Sequence, residues 1–309
     1  MRFHAVYLGL TGTPDCRFAS REIELGSYEN TPNYKKQPGR ATISGGFFGK
    51  RNGQSDCLYY LGETEVQRSQ WHSIMQWPDR REQSLLSPVD KTKYPKTEIT
   101  YAEVFQFIES LNSWILQRQE GELPTFGYAK AHCRLPTEAE WVFAAQEGIK
   151  NKYFNCWNPY GGKQHLGKYE WYKGNSGGKI NQCGQLKPNK IGLKDMLGNV
   201  EELTISLFSP EYQRGRFGQF VICGNNYSDA SEDFTVLHRT EFASHTENGK
   251  LRRPKNVGFR LVLTTSVSAS IGGDILNADG DYQQDRNPSV ILEKVYGVKI
   301  QGEKDDSDR

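Results

Sequence analysis

His238, Glu241 and His245 fall together in the string HRTEFASH. Two imidazoles and a carboxylate are the ligand set of a non-heme iron centre, provided that a loop folds the three onto one point. The spacing does not demand that convergence, and polar residues on a surface loop account for the same string. A little further on, KLRRPK gathers Lys250, Arg252, Arg253 and Lys255. Such a run either contacts phosphate or an acidic peptide, or forms a solvated hairpin ahead of the next strand. Asp279 and Asp281 in NADGDYQQD look like part of a calcium loop, but the step from Asp274 to Asn277 is wrong for the usual start of one, which leaves a turn. The cysteines, Cys16, Cys57, Cys133, Cys156, Cys183 and Cys223, are scattered and include no CxxC pair. A zinc ribbon or thioredoxin-like motif is thereby unsupported, and in a reducing compartment all are expected as free thiols. No phosphate-binding glycine loop, Ser-His-Asp order or zinc-protease helix occurs.

The elements that must carry these residues are legible in part. In RLPTEAEW, Thr137 and Glu140 have the spacing of a capping box, which predicts a helix through Trp141, Phe143, Ala144 and Ala145 that stops near Gly148. Thr100 and Glu103 repeat the device ahead of an apolar stripe, Val104, Ile108, Leu111 and Ile115, running to about Gln119. A further helix is expected over residues 66–76, where Trp71, Ile74 and Met75 recur at helical spacing. From about residue 150 onward the chain turns to Gly, Asn, Lys and aromatic residues without periodicity, a loop-dominated half of the kind that forms functional surfaces. Strands are expected at 217–224 and at 257–265, the latter as one buried strand.

Composition narrows the function classes. A chain of 309 residues is long enough for one large domain or two ordinary ones. Its formal charge of +2 gives no global reason to expect nucleic acid or an anionic membrane as a partner. The apolar run AVYLGL near the start is too short for a signal-peptide core or a membrane span, so a cytoplasmic location is expected. The closing QGEKDDSDR is a charged tail expected to be disordered.

RLPTEAEWVFAAQEG, WYKGNSGG, KPNKIGLKDMLGNVEELT, CGNNYS and VGFRLVL, in that order, resemble the signatures of the formylglycine-generating enzyme, or sulfatase-modifying-factor, family, and ISGGFFGK and YLGETEVQRSQW resemble its opening strand and first helix. The resemblance implies an α+β, C-type-lectin-like fold, loop-rich, over residues 40–265, with an extension at 1–39 and another at 266–309. In the authentic oxidases two cysteines after a GGS-like turn bind copper and activate oxygen. Here Asp229 and Phe234 stand about where those thiols would be, so neither copper nor oxidase activity is expected. Cys223, just before the turn, reads as a buried strand cysteine. The family's GNVWEW segment, which helps to build a calcium site, has as its counterpart Gly198, Asn199, Val200, Glu201, Glu202 and Leu203, with both tryptophans replaced. Asn199, Val200 and Glu202 would supply oxygen to a structural calcium, or the loop is held by hydrogen bonds alone. The expected function is a degenerate domain that binds a protein or peptide, as a subunit of a bacterial multi-protein system. Its surface is assigned to Asn225, Asn226, Tyr227, Asp229, His238, Arg239, Glu241, Arg252 and Arg253, within loops from about 205 to 256. The alternative is an oxygen-using metalloenzyme built on HRTEFASH.

Overall fold

Asp56, Cys57, Leu58 and Tyr59 are buried in succession, as in a strand covered on both faces. The computed structural model describes residues 1–10, 20–24, 40–44, 47–51, 54–76, 93–118, 131–148, 159–160, 163–207, 220–246 and 248–264. The strands are β1 (Phe3–Tyr7), β2 (Ser20–Glu24), β3 (Arg40–Ser44), β4 (Phe47–Arg51), β5 (Gln54–Gly62), β6 (His132–Arg134), β7 (Glu201–Leu207), β8 (Phe220–Cys223), β9 (Arg239–Phe242), β10 (Val257–Phe259) and β11 (Val262–Thr264). The helices are α1 (Arg68–Met75), α2 (Tyr101–Arg118), α3 (Glu138–Ala145) and the single turn α4 (Lys163–Leu166). One sheet runs β1-β5-β11-β6 with β4 also on β5, a second runs β10-β7-β8-β9, and β2 pairs with β3. The fold is α+β and rich in loops, as the resemblance implied.

The helix starts follow the local rules. Thr137 accepts the Glu140 N–H at 3.1 Å while the Glu140 carboxylate accepts the Thr137 N–H at 2.9 Å, and Thr100 and Glu103 exchange the same bonds. Glu147 and Gly148 both take positive φ, 66° and 74°, to end α3. On the second sheet, Phe259 pairs with Leu203, so the two share a face, and Glu202 lies on the opposite one. Trp71 of α1 stacks on Phe107 of α2 at 5.0 Å, and both meet Phe259 edge-on at 6.1 and 5.6 Å. Helices α1 and α2 therefore cover the Phe259 face, and α3 covers the Glu202 face through Trp141.

Two expectations change. VGFRLVLTT is two strands: β10 lies parallel to β7 in one sheet, and β11 inserts between β5 and β6 in the other. Val257 through Thr264 are buried throughout, so the side chains of this run face protein on both sides and the chain crosses between sheets at Arg260 and Leu261. Phe3–Tyr7, which lies before the residues that the resemblance covers, is paired along its length with β5. Cys57 is disulfide-bonded, whereas Cys133, Cys183 and Cys223 are free and buried. NADGDYQQD and the charged tail also lie outside the described residues. No described helix is long and apolar enough to cross a membrane.

Candidate functional site

The frame beneath the site is a polar lock. Arg260 donates from Nε and Nη2 to the two oxygens of Glu202, each at 2.6 Å, and Trp141 Nε1 donates to the same carboxylate at 2.8 Å. Nη1 also donates to the Gly62 carbonyl, and the second Nη2 hydrogen is shared between the carbonyls of Lys194 and Asp195. Both Arg260 and Glu202 are fully enclosed, where a charge is tolerated only if paired and hydrogen-bonded. The string RLPTEAEW is read out completely by this frame. Arg134 clasps the Glu140 carboxylate through two bonds of 2.7 Å, Pro136 accepts the Ile205 N–H, and Glu138 pairs with Arg239 at 3.0 Å.

Above the lock, β8 ends at Gly224, whose φ of +81° sets the turn; a Cβ there would stand 3.2 Å from Trp141 and 3.3 Å from the Met196 carbonyl. Asp229 closes the turn by accepting the Asn226 N–H at 2.8 Å, and Asn226 accepts from the Ser228 N–H and hydroxyl at 3.0 and 2.6 Å. Phe234 is 2% exposed, part of the main core, with its ring edge-on to Tyr172 at 6.0 Å. One position where the resemblance expects a thiol has thus become a turn-closing carboxylate, and the other a core aromatic. Cys223 does not replace them: it is enclosed on β8, and burial, with the charge of Glu138 adding to it, pushes its thiol well up. A thiol held in that form is a poor nucleophile and a poor copper ligand.

The sequence-assigned surface residues divide. Tyr227, Asp229, His238, Arg239 and Glu241 are half-buried along the turn and β9, and Arg252 and Arg253 are exposed. Asn225 is enclosed with neither amide atom bonded, and Asn226 is also buried, so these two support the turn from within. Arg253 is tied to Glu103 at 2.8 Å and to the Glu98 carbonyl, away from the turn. Thr246 and Lys250 close the solvated hairpin ahead of it. HRTEFASH is not simply a surface loop: Arg239–Phe242, with Glu241, is a strand, His238 precedes it, and His245 is exposed beyond its end. Among the described residues no three His, Cys, Asp or Glu side chains are placed to hold a metal ion. Burial pushes the His238 imidazole down, against the pull of Asp229 and Asp233.

Glu201 was visible in the sequence only as a replaced tryptophan. It is 8% exposed, accepts from Asn256 Nδ2 at 2.6 Å and Asn226 Nδ2 at 3.5 Å, and its carboxyl is pushed up to about 7 by burial first and by Asp229 second. It ties the turn at Asn226 to Asn256, ahead of β10, through one buried carboxylate.

Two of the three donors expected for calcium, Glu202 and Asn199, are already engaged. Glu202 is committed to Arg260 and Trp141, and Asn199 Oδ1 accepts the Asn181 N–H at 2.9 Å while its Nδ2 donates to Glu65 at 2.9 Å. A divalent cation at Glu202 would also face the guanidinium, a like charge in a low-dielectric interior.

The family model for the sulfatase-modifying factor enzyme 1-like domain matches residues 28–265. An inactive C-alpha-formylglycine-generating enzyme 2 from Mus musculus is 30% identical over 158 residues, covering 46% of this chain and 50% of that protein. A chaperone protein LppX from Paenibacillus barcinonensis is 26% identical over 174 residues, 47% of this chain and 60% of that protein. The chain thus spans about half the length of the first of these curated relatives. Among solved structures, Treponema denticola variable protein 1 superposes with a TM-score of 0.57 at 21% identity, covering 85% of this chain and 94% of that one. PvdO from Pseudomonas aeruginosa gives 0.51 at 14% identity, covering 79% and 92%. With most of its length matched by the family model, the chain belongs to the sulfatase-modifying factor enzyme 1-like domain family.

Proposed function

We propose that this domain is a catalytically degenerate member of its family that binds a protein or extended peptide at the turn 224–238 and strand β9, as a subunit of a bacterial multi-protein system. One observation carries the reading: the Arg260–Glu202–Trp141 frame is intact, while the positions of the two family thiols hold Asp229, spent on closing its own turn, and Phe234, spent on the core. A scaffold that keeps its rigid core and rebuilds its reactive turn retains a surface without the oxidase chemistry. The relatives named as an inactive formylglycine-generating enzyme and as a chaperone support the same direction. The rim formed by Asp229, Glu232 and Asp233 gives that surface its polar character. The test is affinity capture from the host with wild-type protein and with a Glu232→Lys, Asp233→Lys variant, whose changes are exposed on the rim. A partner retained by the wild type and lost by the folded variant supports the reading. Equal capture by both removes the turn as the binding surface.

A further inference from the structure

A cavity of about 460 Å³ opens between the start of β1, the amino end of α1 and the loop around Gly184, and it shares no residue with the turn 224–238. Its volume lies in the range of small-molecule sites, roughly 300–1,000 Å³. Its lining is rich in donors and poor in acceptors. Arg2, Lys93 and Lys194 supply cationic N–H groups, and Gln67 and Gln70 supply amides. Gln70 spends its side-chain oxygen on the Gln67 N–H at 3.0 Å, which leaves its NH2 group as the free half of the amide. The one acid in the wall, Glu63, is already held by Arg2 at 3.2 Å and by Lys194 at 3.4 Å. Burial pushes its carboxyl up, but Lys194, Arg2 and His4 outweigh that and keep it below its ordinary value, so it is ionised and its charge is spent. Among the described residues no carboxylate pairs with Lys93. Three cations against one neutralised carboxylate leave the wall with an uncompensated positive charge.

We propose that this cavity is a binding site for a small anion carrying a carboxylate or phosphate group, held by Lys93, Lys194 and Arg2 with the Gln67 and Gln70 amides as further donors. Oxygen anions with several lone pairs match this wall, whereas cations and apolar ligands do not. The site is independent of the partner reading above.

Isothermal titration of the full chain with inorganic phosphate and with citrate, against sodium chloride at matched ionic strength, tests the proposal. Saturable binding of phosphate, of citrate or of both is expected, and which anion binds distinguishes a phosphoryl from a carboxylate ligand. Lys93→Glu should weaken it by about tenfold or more. Lys93 is exposed, so the variant is expected to fold, and Lys93→Gln serves as a milder second change. Absence of saturable heat with both anions, a response no larger than that to chloride, or unchanged affinity in both variants would overturn the assignment.

Discussion

The Glu202 carboxylate takes two hydrogen bonds of 2.6 Å from Arg260, and neither side chain exposes any surface to solvent. This pair joins the GNVEE segment to the VGFR segment across the chain, at the point where the backbone leaves one sheet for the other. Removing one partner strands a charge in the interior, and removing both does not. Arg260→Met is therefore expected to cost about 3–5 kcal/mol, and the Arg260→Met, Glu202→Leu pair distinctly less than the single change. Urea unfolding of the three proteins measures both, and a single variant within 1 kcal/mol of wild type would show that the lock is not structural.

The two rebuilt positions differ in what they support. Phe234→Ala opens a void in the main core and is expected to destabilise by about 3–5 kcal/mol. Asp229→Ala removes only the acceptor of the Asn226 N–H, for about 1 kcal/mol. Thermal unfolding distinguishes them, and equal losses would contradict the division between core and turn.

Glu170 makes stability depend on pH. Burial, and then the charge of Asp195, push its carboxyl up to about 8, although the Tyr160 hydroxyl bonded to it at 2.5 Å pulls the other way. A carboxyl raised in the folded state contributes stability that is full below the unfolded value of 4.5 and is lost as pH climbs through about 8. Glu170→Gln should match wild type in acid and exceed it by a few kcal/mol at alkaline pH, in unfolding curves taken across that window. A variant less stable than wild type at pH 8 would contradict this.

The free thiols should be slow to react. Cys133, Cys183 and Cys223 are buried, and burial pushes the Cys133 thiol up to about 12. Mass spectrometry after alkylation of native protein should show these three unmodified, with labelling after unfolding alone. Cys57 should label only when unfolding is combined with a reductant. Labelling of Cys57 without reductant would show that its disulfide does not form.

The helices were legible because their signals are local: Thr137 with Glu140, and Thr100 with Glu103, fix a start within four residues. The fold itself was legible only through resemblance, since segments such as LGKYEWYKGNSGG carry no periodicity and are held by distant bonds, as when the Ser176 hydroxyl donates to the Tyr227 carbonyl. The split of VGFRLVLTT was hidden because a run buried on both faces looks the same whether it serves one sheet or two. At the site, the sequence exposed the loss of both thiols but not the burial of Asn225 and Glu201, which depends on where β7 and β8 meet. HRTEFASH left two readings open because its spacing does not say whether a loop folds the three side chains together or a strand runs through them.

The claim that the frame survives while the oxidase chemistry is gone is tested most directly by incubating the purified chain with Cu(I), oxygen and a cysteine-containing sulfatase-type peptide, and following the peptide by mass spectrometry with an aldehyde-reactive probe. The account predicts that the peptide cysteine is recovered unchanged. Catalytic conversion of that cysteine to the aldehyde, dependent on the protein, would contradict it.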